Sequence, residues 1–123
     1  MMEYSDYKSQ ADTVKIEDIT SDEGNATILR RLKENDPELT SFCLQHYRDR
    51  AFNFVPSTVL EAGWLGYFVG VNTQLESMSF SQSDAYDAIT RDQLEAFFRG
   101  LCHNRTICRY YCCIKYEQKA QGP

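Results

Sequence analysis

The same order of parts recurs three times along the chain: a helix-capping pattern, an apolar helical stripe, a polar stop and a short strand-like segment. The segments read LTSFCL (39–44), LESMSF (75–80) and ICRYYC (107–112). Each carries apolar or semi-apolar side chains at its first, fourth and sixth positions: Leu39, Phe42 and Leu44; Leu75, Met78 and Phe80; Ile107, Tyr110 and Cys112. The step from fourth to sixth is the period of a strand, whose alternate side chains share a face. The step from first to fourth predicts that the chain turns into each strand rather than running straight.

A helical stripe precedes each segment. Ile28, Leu29 and Leu32 form the first; Leu60, Trp64, Leu65, Phe68 and Val69 the second; Leu94, Phe97, Phe98 and Leu101 the third. Each stripe follows a Ser/Thr-x-x-Glu/Gln capping pattern, in Thr20 with Glu23, Thr58 with Glu61, and Thr90 with Gln93. Each ends at a polar stop three residues before the strand segment, at Asp36, Asn72 and Asn104. The strand starts lie 36 residues apart (39 to 75) and then 32 (75 to 107). Self-similarity at such a period predicts a solenoid. Because each unit is helix then strand, the strands are expected to lie parallel with the helices as crossovers, an α/β arrangement.

The remaining sequence sets the boundaries of this domain. Residues 1–19 are polar and acidic without a sustained period, and are expected to form a disordered N-terminal tail. The repeats occupy 20–114, and 115–123 read as a C-terminal tail. The net charge of −5 excludes nucleic acid and anionic membranes as main partners, since both need clustered Lys and Arg. The one basic cluster, Arg30, Arg31 and Lys33, is diluted at once by Glu34 and Asp36. No apolar run is long enough to span a membrane, and the acidic start is unlike a secretory signal. A cytoplasmic or nuclear chain is therefore expected, with reduced thiols, and five cysteines, an odd number, do not suggest a disulfide framework. The acceptor-like patterns at Asn25-Ala-Thr27, Asn104-Arg-Thr106 and Val14-Lys15-Ile16-Glu17 are read as chance matches.

The segments Leu39-x-x-Phe42-x-Leu44 and Leu75-x-x-Met78-x-Phe80 resemble the Leu-x-x-Leu-x-Leu pattern of the leucine-rich repeat family, in its longer, ribonuclease-inhibitor-like class. The resemblance covers residues 20 to 114, close to three units. It implies a short solenoid with a parallel sheet on the concave face, helices on the convex back, and binding of proteins rather than catalysis. The sequence departs from the family at the place of its Asn or Cys three residues after the last strand apolar position, where Tyr47, Ser83 and Lys115 stand. The side-chain ladder built by that residue is thus expected to be missing. The loops 45–57 and 81–89 are also long, and no polar capping unit follows residue 114.

The densest candidate for chemistry is GLCHNRTICRYYCC (100–113). Zinc sites usually pair ligands closely, as in C-x2-C, whereas Cys102, Cys108, Cys112 and Cys113 are spaced otherwise, with His103 beside the first. In repeat register Cys112 takes the inward place of Leu44 and Phe80, where a buried cysteine acts as a small hydrophobe. A thiol catalyst would need a base, and only His46 and His103 are available. Gly63, Gly66 and Gly70 fall inside a helix pattern, so they suit a close helix approach rather than a phosphate loop. Asp84, Asp87 and Asp92 fit no twelve-residue calcium loop. No cofactor, metal or catalytic residue is expected.

What remains is a predicted concave stripe of polar and small residues. Its candidate partner-binding members are Cys43, Gln45, Glu76, Ser79, Ser81, Arg109, Tyr111 and Cys113, with Thr40, Ser41, Ser77 and Cys108 alongside. Arg and Tyr are enriched at interface hot spots, which singles out Arg109 and Tyr111. The expected function is a non-enzymatic protein–protein interaction module, with a small cysteine-dependent zinc or redox protein as the alternative. The last strand, 107–113, would be a bare edge. Such an edge invites pairing, with further units of a longer array or with a second copy.

Overall fold

The computed structural model describes residues 2–45, 53–82, 90–107 and 109–114. The elements run α1 (Tyr4–Gln10), α2 (Ile16–Ile19), α3 (Glu23–Lys33), β1 (Ser41–Gln45), β2 (Asn53–Phe54), α4 (Val59–Val71), β3 (Ser77–Gln82), α5 (Arg91–Leu101) and β4 (Arg109–Ile114). Helices and a parallel sheet make this an α/β chain. The four strands lie in the order β2-β1-β3-β4, and every pairing is parallel.

Register follows the sequence pattern. Phe42 lies beside Met78 and Met78 beside Tyr110; Leu44 lies beside Phe80 and Phe80 beside Cys112. The 36- and 32-residue spacings therefore correspond to backbone neighbours in one sheet. Leu39, Phe42, Leu44, Leu75 and Met78 are all buried and join one core with Ile28, Leu29, Leu32, Trp64, Leu65, Phe68 and Phe97 from the helices. A strand that sequence reading missed, β2, adds Phe54 to that core and pairs Asn53 with Cys43.

Two of the three expected capping boxes form. The Glu61 and Gln93 amides donate to the Thr58 and Thr90 hydroxyls at 3.0 and 3.2 Å, and the return bonds from the cap amides are also made. The third does not. Asp22 caps α3 instead, its carboxylate accepting from the Asn25 amide at 2.8 Å. Thr20 is buried, and its hydroxyl donates to the Glu61 carboxylate.

The helices α4 and α5 cross where glycine meets glycine. A Cβ on Gly66 would lie 2.2 Å from the Phe97 carbonyl oxygen, and one on Gly100 would lie 2.3 Å from the Gly66 carbonyl carbon. Gly70 likewise abuts Gly100. The expected close approach is met, between two backbones rather than at Trp64.

Residues 2–19 are not a disordered tail, which corrects the expectation for 1–19 over its described part. They form α1 and α2, and Tyr7, Ile16 and Ile19 are buried in the core. The cause is α4, whose ten consecutive residues 61–70 are all buried. A helix apolar on every side needs cover on every side. Tyr7 supplies it on the outer side, packing edge-on to Trp64 with ring centroids 4.9 Å apart and its hydroxyl against Gly63. Tyr4 stacks on His103 at 3.7 Å, and Glu3 pairs with Arg99 at 2.9 Å. A polar composition hid these anchors because only one side of α1 is buried. Two stripe members also depart from expectation: Leu60 and Phe98 are 42% and 45% exposed.

Candidate functional site

The candidate site is the sheet face opposite the helices. Three rows of residues cross the strands in register. Ser41, Ser77 and Arg109 form the first; Asn53, Cys43, Ser79 and Tyr111 the second; Gln45, Ser81 and Cys113 the third. Strands are spaced about 4.8 Å apart, so the second row is about 14 Å long. Ser41 is exposed, while Thr40, Cys43, Ser77 and Ser79 are half-buried, in contrast to the buried Phe42, Leu44 and Met78 between them. This is the alternation of a sheet with one face in the core.

Seven of the eight expected site residues thus fall in the rows, as register positions. Glu76 does not. It is exposed and precedes β3, and its amide donates to the Thr40 carbonyl at 2.8 Å, as the Ser77 amide does at 3.2 Å. Glu76 stands at the sheet's entry edge because neighbours in a strand cannot share a face with Ser77. Cys108 lies outside the described residues.

What fixes the strand starts is an asparagine relay that sequence reading had seen only as polar stops. The Asn72 side-chain oxygen accepts from the Gln74 and Leu75 amides at 2.7 and 2.8 Å, and its amide group donates to the Leu32 carbonyl at 3.1 Å. Asn104 repeats the arrangement, accepting from the Thr106 and Ile107 amides at 2.8 and 2.7 Å. Its amide group donates to the Val69 and Asn72 carbonyls at 2.6 and 3.1 Å. Each side chain turns the chain into its strand and ties it to the preceding unit. Asp36 holds the same place before β1, accepting from the Glu38 amide at 2.9 Å and from Arg31 at 2.8 Å. The Arg31 bond, with the Glu38 amide, holds its carboxyl below the ordinary aspartate range. Asn35, in the left-handed conformation at φ 57°, adds a bond from the Thr73 amide to its side-chain oxygen at 2.9 Å. Tyr47, Ser83 and Lys115, where the family's ladder residue would stand, lie outside the described residues.

The far edge of the site is anchored by a buried carboxylate. Glu61 is 3% exposed, and its oxygens accept from the Ser57 amide and hydroxyl at 2.7 and 2.6 Å, the Thr58 amide at 3.1 Å, the Asn25 amide group at 3.2 Å and the Thr20 hydroxyl. Burial pushes its pKa up, but the bonds from Ser57, Thr20 and Asn25 outweigh burial and hold it below the ordinary glutamate value. Asn25 also clasps Val55 on both sides, donating to its carbonyl at 2.8 Å and accepting from its amide at 3.0 Å. That clasp sets β2 beside β1.

Chemically, the described side chains of the face, Thr40, Ser41, Cys43, Ser77 and Ser79, offer neutral hydroxyl and thiol groups. Among the described residues no three His, Cys, Asp or Glu side chains converge as a metal site. Cys102 is exposed beside the end of α5, its thiol donating to the Arg99 carbonyl at 3.2 Å. Among the described residues no helix is long and apolar enough to cross a membrane. The chain matches no protein-family model, no curated protein and no solved structure.

Proposed function

We propose that the chain is a leucine-rich-repeat-like solenoid of helix–strand units that acts as a non-enzymatic protein-binding module in the reducing cytoplasm or nucleus. The partner-binding surface is the row face centred on Cys43 and Ser79, with Gln45, Ser81 and Cys113 on one side and Arg109 and Tyr111 toward the β4 edge. The observation that carries this reading is the register. Three segments of one sequence pattern stand side by side, and their alternate positions fall in register, small on β1 and β3 except for Gln45, with Arg109, Tyr111 and Cys113 beside them on β4. Short side chains let a partner come close to the sheet, and the asparagine relay holds the strand starts in place before binding. A surface held rigid beforehand loses little ordering entropy on association.

The test compares the native chain, as bait for its partners, with Arg109→Ala/Tyr111→Ala and with Cys43→Arg, which puts bulk in the middle of the second row. Loss of the same specific partner by both variants, with unchanged thermal unfolding, is the expected result. Retention of that partner by both would show that the rows are not the binding surface.

A further inference from the structure

We propose that Lys15 is an acceptor for a small ubiquitin-like modifier, joined to it through an isopeptide bond. The structure separates the three acceptor-like patterns that sequence reading grouped together as chance matches. Asn25 is fully buried, and its side-chain amide group donates to the Val55 carbonyl at 2.8 Å. Asn104 is half-buried, and its amide group is taken up by the Val69 and Asn72 carbonyls. Neither nitrogen is open to a modifying enzyme while those bonds hold. In Val14-Lys15-Ile16-Glu17, by contrast, the lysine and the acid are both exposed.

Local structure does not account for a lysine at this place. Lys15 is the N-cap of α2, a position where Ser, Thr, Asp or Asn would satisfy the first helical amides. Its side chain makes no capping bond, and a cation at a helix N-terminus opposes the helix dipole. An isopeptide bond turns the ammonium into a neutral amide and so removes that mismatch. The backbone at Lys15 is extended, at φ −97° and ψ 135°, whereas the other described lysines, Lys8 and Lys33, lie within α1 and α3. Extended backbone sends successive side chains to opposite sides. Lys15 therefore points outward between Val14, which is partly buried against the core, and the buried Ile16, with Glu17 exposed beyond.

The modifier arrives as a C-terminal glycine thioester on the cysteine of a conjugating enzyme. The Lys15 ammonium loses one proton to solvent, and its Nζ attacks the thioester carbonyl. The C–N bond forms as the C–S bond breaks, and the departing thiolate takes up the second proton that the amine gives up. Glu17 offers a basic groove on the enzyme an exposed anion two residues from the nucleophile, and Val14 offers it an apolar contact on the other side. Lys15 stands in the layer of α1 and α2, and α2 packs on α3 and α4, so a conjugate there leaves the row face uncovered. The proposal rests on the cytoplasmic or nuclear placement proposed above, where such modifiers act, but not on the row-face reading.

The test incubates the full chain with the modifier, its activating and conjugating enzymes and ATP, beside Lys15→Arg, Glu17→Ala and Cys43→Arg. The expected product is heavier by one modifier, with its branched peptide mapped by mass spectrometry to Lys15. Lys15→Arg should abolish it, and Glu17→Ala should slow it about tenfold or more, both with unchanged circular dichroism. No product from the native chain overturns the proposal. So does modification of Lys8 or Lys33 that persists in Lys15→Arg, product formed only from the heat-unfolded chain, or a rate indifferent to Glu17. Cys43→Arg, which tests the row face, should be conjugated as the native chain is, so the two readings fail separately. Supplying the enzymes makes the result independent of the compartment, which fractionation of cells tests by itself.

Discussion

Two buried side chains, Glu61 and Asn72, tie the strands and helices together by hydrogen bonding, and among the described residues neither pairs with a cation. Among the described residues Glu61 accepts from donors in three stretches of chain: Thr20 before α3, Asn25 within it, and Ser57 and Thr58 at the start of α4. Replacing it by Gln removes the charge that those donors solvate and aims an amide N–H₂ at one of them. Leaving a buried donor unsatisfied costs about 1–3 kcal/mol, so Glu61→Gln is expected to lower unfolding free energy by that order at neutral pH. The pH dependence has a definite sign. Because the folded carboxyl is held below the ordinary glutamate value, its contribution is fully present above the unfolded pKa. It is lost as pH falls through the folded value. Denaturant titrations across the acid range should therefore show the wild type and Glu61→Gln converging as the medium becomes more acidic. A constant gap would mean that shape, not charge, is what Glu61 supplies. Asn72 makes the parallel case at β3. It is 2% exposed, and Asn72→Ala takes the acceptor from the Gln74 and buried Leu75 amides while the Leu32 carbonyl keeps the Asn35 amide, for a loss of about 1–3 kcal/mol. Asn104 is only half-buried, so water can replace part of its set, and Asn104→Ala should cost less in the same unfolding assay.

Between elements, the decisive contact is the α4–α5 crossing, where backbone touches backbone. Gly66→Ala would drive a methyl to 2.2 Å from the Phe97 carbonyl oxygen, and Gly100→Ala would do the same to the Gly66 carbonyl. Main chain cannot swing aside as a side chain can, so each change forces the helices apart and should cost about 1–3 kcal/mol or more in thermal unfolding. The two share one contact, so the double variant should lose less than the sum of the singles. A fully additive double would mean that the helices meet elsewhere. This crossing also shows what the sequence made legible. Glycines spaced within a helical stripe pointed to close approach, and the spacing of Phe42, Met78 and Tyr110 gave the parallel strands and their register. The row face was legible for the same reason, because period-two alternation assigns faces wherever a strand is recognised. Three features were not legible, for different reasons. A two-residue strand such as β2 is too short to show a period. Thr20 bears the right pattern for a cap, but a buried carboxylate 41 residues away takes its hydroxyl. Glu76 falls outside the rows because β3 begins at Ser77, two residues after the start of the 75–80 segment.

At the scale of the whole chain, the molecule has a third layer that a bare row of helix–strand units would lack. In such a row the outer side of each helix faces solvent, yet the outer side of α4 carries Trp64 and Tyr67, which are 2% and 7% exposed. Residues 4–10 provide the cover. Tyr7 meets Trp64 edge-on and lies nearly parallel to Tyr67 with centroids 6.3 Å apart, while Tyr4 packs on Tyr67 at 5.4 Å. Burial has pushed the Tyr7 hydroxyl's pKa up, consistent with a ring seated in the core rather than resting on it. Among the described residues, α1 reaches the rest of the fold through these ring contacts with α4, the Tyr4–His103 stack and the exposed Glu3–Arg99 pair, which adds little. Removing residues 1–10 should therefore uncover α4 without disturbing the parallel sheet, whose register depends on Asn72, Asn104 and the strand faces. Trp64 is the chain's single tryptophan, so its emission reports this step directly. The expected outcome is a red-shifted, quencher-accessible Trp64, near-native strand content by circular dichroism, and new association through the uncovered aromatic surface. Gly63→Ala should give a weaker form of the same result in the full chain, since its methyl would collide with the Tyr7 ring and hydroxyl while leaving α4 and α5 in contact. If the truncated chain kept a buried Trp64, α1 would be an ornament on the α/β core. If it lost the sheet as well, the N-terminal segment would belong to the folding unit itself.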